Sequence, residues 1–226
     1  MIDDTTFGGA MGRLGPYKLD TIVCGDCLDI MRQMPDGCVD AVITDPPYGL
    51  DFRGEQWDSD IPEWLEEARR ISETVVFTTA PTTQWDYPRP DWVACWYREA
   101  SNSRTAYGGF NHWTPVLAYG QFRPQVDSIK LHAIQHAYPR GFWHPSPKAE
   151  ALVEWLVGNA GSPGDLIFDP FMGSGTTAVA AKKLGRHYFG CDISEEYVKL
   201  ARERVAKIDG VQMPLSYTEM EGVDGS

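Results

Sequence analysis

Apolar positions along this chain recur with two alternating periods, and their order sets an architecture. Asp20 to Cys24 reads as a short strand and Leu28 to Met34 as a helix. Val39 to Thr44 is an apolar strand that runs into Asp45-Pro46-Pro47-Tyr48, where two prolines forbid its continuation. Ile61, Trp64, Leu65, Ala68 and Ile71 are spaced as one face of a helix, and the β-branched run Thr74 to Thr79 follows as a strand. Trp92 to Tyr97 and Pro115 to Tyr119 read as two more strands, antiparallel neighbours across a polar, glycine-bearing stretch. No period emerges between Gly120 and His144. Beyond it, Pro147 to Val157 has helical spacing, Asp165 to Asp169 is a strand, Thr176 to Leu184 a helix, Tyr188 to Asp192 a strand and Glu195 to Ile208 a helix. Strands alternating with helices predict an α/β fold: a mostly parallel sheet covered on both faces.

Length and composition narrow this to one soluble domain. A chain of 226 residues fills one α/β core with little left for a second. The expected layout is a flexible arm over residues 1–16, a single domain over 17–208 with recognition loops within 51–143, and an acidic tail over 209–226. With 42% hydrophobic and 23% charged residues the composition is globular, and no apolar run has bilayer-spanning length. The N-terminus lacks a basic start and an apolar core, so a cytoplasmic setting without membrane contact is expected. Cysteines 24, 27, 38, 95 and 191 form an odd set that reads as reduced thiols. Cys24 and Cys27 make a C-x-x-C, but two further ligands for a metal are not apparent, and packing roles are preferred. The net charge of −12 argues against tight nonspecific binding to a polyanion, yet leaves open a locally basic face.

The first chemical constellation is Asp45-Pro46-Pro47-Tyr48-Gly49. It places a carboxylate, a rigid turn and an aromatic ring at the carboxyl edge of a parallel sheet, where open α/β folds bind ligands. This suits methylation of an exocyclic amine on a base, a poor nucleophile because its lone pair is delocalised into the ring. The Asp45 carboxylate and the Pro46 carbonyl, aimed at the two N–H bonds, favour a pyramidal nitrogen with its lone pair free. The target atom lies inside a stacked duplex, so the base must be flipped out, and Tyr48 offers a stacking surface in exchange. A tight turn after a buried strand is the plain alternative for this tetrapeptide.

The second constellation, Phe168-Asp169-Pro170-Phe171-Met172-Gly173-Ser174-Gly175-Thr176-Thr177, lies between a strand and a helix, where glycines let a ligand approach the backbone. It lacks the lysine of a phosphate-binding P-loop and the third glycine of a dinucleotide fingerprint. About twenty residues later a strand ends in Asp192, where a carboxylate can accept from ribose hydroxyls. Asp192 or Ser194 is equally suited to cap the helix from Glu195.

Together these segments resemble the S-adenosylmethionine-dependent DNA amino-methyltransferases, specifically the permuted group whose catalytic motif precedes the cofactor motif. Gly25-Asp26-Cys27-Leu28, Thr44 to Tyr48, His144-Pro145-Ser146-Pro147-Lys148, and Phe168 to Thr177 with Asp192 match in order, leaving the middle of the chain poorly matched. The resemblance implies a Rossmann-like, seven-stranded sheet, S-adenosylmethionine as methyl donor, and base flipping. It implies Asp45, Pro46, Pro47 and Tyr48 as catalytic. It further implies that Asp26, Cys27, Lys148, Asp169, Pro170, Phe171, Gly173, Ser174, Gly175, Thr176 and Asp192 surround the cofactor. Among these, Asp192 would hold the ribose, Asp26 would lie near the adenine, and Lys148 would close the pocket. Asp at the first motif position leans toward adenine N6 over cytosine N4, within a restriction-modification setting in a bacterial or virus-infected bacterial cell. Cytosine-C5 chemistry needs a thiol after proline, and no cysteine here follows one.

The middle segment offers Arg98, Arg104, Arg123, Lys130 and Arg140, with Tyr107, Phe110 and Trp113 among polar residues, as contacts to DNA. Solvated arginines and core aromatics are the simpler account of each. The segment is short for a separate recognition domain. Either a brief target is read by loops, or a second subunit, a copy or a partner chain, completes the DNA surface. A cofactor-binding but inactive partner subunit is the competing function, disfavoured by the intact Asp45 motif and glycine loop.

Overall fold

A computed structural model of the chain describes residues 14–49, 64–98, 112–131 and 148–208. In chain order the elements are β1 (Thr21–Cys24), α1 (Cys27–Met31), β2 (Ala41–Thr44), α2 (Leu65–Ile71), β3 (Val75–Thr78), β4 (Trp92–Arg98), β5 (Trp113–Tyr119), β6 (Ser128–Leu131), α3 (Glu150–Ala160), β7 (Leu166–Asp169), α4 (Thr176–Lys183), β8 (His187–Asp192) and α5 (Glu195–Ala206), with a 3-10 turn at Gln84–Asp86. Of the expected segments, the arm up to Arg13, residues 51–63, 99–111, 132–147 and the tail from Asp209 lie outside the described residues. These include Arg104, Tyr107, Phe110 and Arg140.

The strands form one sheet in the order β1-β8-β7-β2-β3-β5-β4-β6. The pairs from β1 to β3 are parallel, and β5 is antiparallel to both β3 and β4. The antiparallel neighbours expected from the sequence are paired as Cys95 with Pro115 and Trp96 with Thr114. Eight strands, not seven, are therefore present among the described residues. The additional one, β6, pairs parallel with β4 at the outer edge. Its sequence, Ser-Ile-Lys-Leu, shows why it escapes a periodicity argument: Ile129 is buried between exposed Ser128 and Lys130, and one inward position defines no period.

β2, β3 and β7 are buried at every position, because helices cover both faces of the central strands. On one face α1 and α2 contribute Ile30, Met31, Leu65, Ala68 and Ile71 to a cluster with Val42, Phe77, Phe168 and Phe189. On the other, α3 places Leu152, Val153, Trp155, Leu156 and Val157 over Ile43, Val76, Val116 and Ile167. Helix α3 begins and ends later than the spacing predicts; Ala160 is buried beyond Gly158, and the Asn159 side-chain Nδ2 donates to the Trp155 carbonyl at 2.7 Å. Leu14, within the stretch expected as an arm, is buried in the first cluster and bridges to Tyr17.

From β7 the chain continues through α4 to β8 on one side, and from β2 through α2 to β3 on the other. The strand order thus reverses between β7 and β2, the point at which an open α/β sheet leaves a crevice at its carboxyl edge. Asp169 ends β7 and Asp45 follows β2.

Candidate active site

The two motifs, more than a hundred residues apart in sequence, meet at this crevice. Thr44, the last residue of β2, donates its hydroxyl to Asp169 Oδ1 at 2.5 Å. The next residue, Asp45, is fixed by three donors. Tyr48 Oη donates to Asp45 Oδ1 at 2.7 Å, the Thr78 hydroxyl donates to the same oxygen, and Lys148 Nζ lies 2.5 Å from Oδ2. Tyr48 also reaches Thr78 Oγ1 at 3.0 Å. The Lys148 side chain is only 12% exposed, and its ammonium stands 5.1 Å from the centre of the Tyr48 ring. Burial, followed by the Asp45 charge, raises the Tyr48 hydroxyl well above its ordinary range, so it remains a donor at neutral pH. A carboxylate has about four lone-pair positions, and three donors leave one open.

Asp169 is buried beside this group. Besides Thr44, it accepts from the Phe171 amide at 3.0 Å. Desolvation raises its carboxyl to about 6, with the Asp45 charge adding to the rise and bonds from Thr177, Thr44 and Phe171 opposing it. One strand further, Asp192 Oδ2 accepts from the Gly173 amide at 2.8 Å and Oδ1 from the Ser194 amide at 2.9 Å. Burial raises Asp192 while these two amides oppose the rise. Ser194, not Asp192, caps α5 by accepting from the Tyr197 amide. Asp192 is thereby released to hold the glycine loop. On β1, the Gly25 amide donates to the Asp192 carbonyl at 3.0 Å, and Asp26 caps α1 by accepting from the Leu28 and Asp29 amides. Asp26, Asp45, Asp169 and Asp192 therefore line the carboxyl ends of four consecutive strands, β1, β8, β7 and β2.

Several residues named from the sequence are placed differently. Lys148, expected to close the cofactor pocket, lies on the Asp45 and Tyr48 side chains at the end of β2, where the turn before α3 delivers it. The Ser174 and Thr176 side chains face away toward α5, where Arg204 Nη1 donates to the Ser174 carbonyl at 2.6 Å, to Ser174 Oγ at 3.0 Å and to Thr176 Oγ1 at 3.3 Å. Gly175 has φ +84°, and a Cβ there would stand 2.7 Å from Ala201 Cβ of α5. Close approach at this glycine is made by a helix, which leaves Gly173 as the loop glycine whose amide faces a carboxylate. Cys27 is buried in the first core cluster, its thiol pushed up to about 12 by desolvation, and can offer a ligand only its backbone. Cys24 is exposed and donates to the Ile193 carbonyl. Phe171 packs edge-on to Trp64 with ring centres 5.7 Å apart.

Sequence reasoning missed Thr44, Thr78 and Ile193. Thr78 was detectable in principle: it ends β3, and β3 is the parallel neighbour of β2, so its side chain reaches the carboxyl edge beside Asp45. Ile193, directly after Asp192, is 75% exposed, an aliphatic surface next to the crevice. Among the described residues there is no group of three metal-ligating side chains, and no helix is long and apolar enough to cross a membrane.

With this geometry in view, comparison with known proteins is direct. The sequence pattern of the N6/N4 family, described as DNA methylase, matches residues 79–203. The YubD protein of Escherichia coli strain K12 is 29% identical over 210 residues, covering 84% of this chain and 92% of its own length. The crystal structure of the M1.HpyAVI–SAM complex superposes with a TM-score of 0.63 at 24% identity, covering 81% of this chain and 98% of that one. The cytosine-N4-specific PvuII DNA methyltransferase gives a TM-score of 0.65 at 15% identity, covering 88% of this chain and 89% of its own. The matched stretch runs from the end of β3 into α5 and includes Lys148, Asp169, the glycine loop and Asp192. This chain belongs to the N6/N4 family of DNA methylases.

Proposed function

We propose that this protein transfers a methyl group from S-adenosylmethionine to the N6 amino group of an adenine flipped out of DNA. The observation that carries the reading is the junction of Asp45 and Asp169 through Thr44 at the strand-order reversal, which sets a polar acceptor for an amine beside a cofactor crevice. The residues present fit the donor. Its sulfonium and ammonium are cationic, and four carboxylates, Asp26, Asp45, Asp169 and Asp192, line the edge. Asp192 would accept from ribose hydroxyls, and exposed Ile193 would offer an apolar face to a purine. S-adenosylmethionine, when bound, supplies an electrophilic methyl carbon.

The chain's own residues do the rest. Asp45 Oδ1 is held by Tyr48 and Thr78 and Oδ2 by Lys148, so the carboxylate is oriented before substrate arrives and pays little reorganisation cost. Its open lone pair accepts one amine N–H and the Pro46 carbonyl accepts the other, leaving the nitrogen lone pair directed away from both. Tyr48 offers its ring to the base, with the Lys148 ammonium 5.1 Å from the ring centre. Once the amine is alkylated it becomes acidic, and the Asp45 carboxylate receives the released proton. Positioning carries much of the rate, and no covalent enzyme intermediate is required.

Adenine rests on Asp at the first motif position, and cytosine N4 uses the same geometry around a smaller ring. The test is incorporation of labelled methyl from S-adenosylmethionine into unmethylated DNA by the full chain, with nucleoside digestion and mass spectrometry. N6-methyladenine is expected, with transfer abolished in Asp45→Ala while cofactor binding persists. N4-methylcytosine would keep the mechanism and change the base. Cofactor binding without transfer to any DNA would refute the reading.

A further inference from the structure

The crevice has a second side that the catalytic assignment does not use. Strand β4 runs parallel to β2 and β3, since β3 and β4 are both antiparallel to β5; Ala94 is level with Thr78 through Val116, so Arg98, four residues on, lies beyond the carboxyl edge at which Asp45 sits. Alternate residues of a strand share a face. Ala94 and Trp96, which share the parity of Arg98, are buried in the cluster under α3, the helix whose N-terminal approach carries Lys148. Arg98 therefore faces the same side of the sheet as Lys148 and the Tyr48 ring, and its charge acts on the Tyr48 hydroxyl.

Three observations combine at this arginine. Its guanidinium carbon stacks 5.1 Å from the centre of the Trp96 ring, which fixes its direction. Its Nε is buried without a hydrogen-bond partner. No carboxylate among the described residues lies within ion-pair distance of it, whereas Arg70, Lys148, Lys183 and Arg204 all have one. A half-buried cation with no ion-pair partner among the described residues, in a chain of net charge −12, suits an anion. Its position limits which anion. Two strand spacings, about 10 Å, and four residues of β4 separate the backbone of Arg98 from that of Thr78, and its guanidinium is held on the Trp96 ring, apart from the amino group held at Asp45. Its charge acts on the Tyr48 hydroxyl, so an anion held by it would lie beside a base on Tyr48.

We infer that Arg98 binds a backbone phosphate of DNA next to the flipped nucleotide and so anchors the strand while the base occupies the Tyr48 site. This rests on DNA being the substrate. One phosphate contact predicts a defined salt dependence: its loss reduces the slope of log affinity against log salt by about 0.9 on duplex DNA.

The experiment measures KM for unmethylated plasmid DNA, kcat and cofactor affinity for the wild-type full chain, Arg98→Met and Arg98→Lys from 50 to 200 mM salt. Arg98→Met keeps a flexible apolar stem against Trp96 and loses the charge; Arg98→Lys keeps the charge. The expected result for Arg98→Met is a KM for DNA raised roughly tenfold at the lowest salt, shrinking to about threefold at the highest, with cofactor affinity unchanged. Arg98→Lys should retain most of the wild-type slope. If Arg98→Met fails to fold, Arg98→Gln replaces it as the neutral variant. Parallel salt slopes in the wild type and the neutral variant would overturn the inference. In that case a loss of kcat/KM independent of salt would assign Arg98 to a base edge, and a loss of stability alone would assign it to packing on Trp96. Absence of methyl transfer to DNA by the wild type would refute the function itself, and this site with it.

Discussion

Gly175 separates two roles for the glycine loop, ligand approach and helix packing, and Gly175→Ala decides between them. The residue has φ +84° and ψ 21°, the left-handed region, which costs an L-residue about 1–2 kcal/mol. Its new Cβ would stand 2.7 Å from Ala201 Cβ and 2.8 Å from Ala201 Cα, so α5 must move or the loop must. Overpacking of this kind costs roughly 1–3 kcal/mol. Reduced freedom of the unfolded chain returns about 0.4–1 kcal/mol. The net expectation is a loss of about 2–4 kcal/mol, a large share of the roughly 5–15 kcal/mol that holds a domain folded. Urea unfolding followed by circular dichroism measures it. Gly158→Ala is the internal control, since it lies within α3 with nothing within 4 Å of its built Cβ and should stabilise by roughly 0.5–1 kcal/mol. A Gly175→Ala protein within about 1 kcal/mol of wild type, but unable to bind S-adenosylmethionine, would refute the packing argument and return this glycine to the ligand.

Two more predictions concern the carboxylates. The Asp169 carboxyl is raised in the folded protein to about 6 from 3.8, so the folded state holds its proton longer than the unfolded chain does. Stability therefore falls as pH rises from about 4 to 6, by up to about 3 kcal/mol, and the loss is complete above pH 6. Asp169→Asn should remove that slope, being more stable than wild type at pH 7.5 and nearly equal to it at pH 4; thermal unfolding at the two values checks this, and an unchanged slope would contradict it. Asp192→Ala removes the acceptor for the Gly173 and Ser194 amides, leaving donors unpaired at a cost of about 1–3 kcal/mol. Calorimetric titration should show cofactor affinity reduced more than tenfold with kcat at saturating cofactor largely kept, whereas equal loss in Asp45→Ala would contradict the division of labour between the two carboxylates.

The local features that the sequence determined are those whose cause is local. Prolines 46 and 47 end β2 whatever surrounds them, so Asp45 had to emerge at a strand end. The central strands were legible as continuous apolar runs and α3 to α5 by helical spacing, because each buries several positions. The order of Asp45, the glycine loop and Asp192 already pointed to a methyl donor and an exocyclic amine. What tertiary structure decided are contacts whose partners lie far apart in the chain. Whether Lys148 serves the cofactor or Asp45 depends on where α3 starts relative to β2. Whether Gly175 admits a ligand or a helix depends on the packing of α5, and β6 exists as a strand because β4 provides an edge for its hydrogen bonds. Arg98 was one of five basic candidates until the strand order brought it to the crevice. Periodicity reports which face of an element is buried; it carries no information about which residue of another element meets that face, and that pairing is where this site is made.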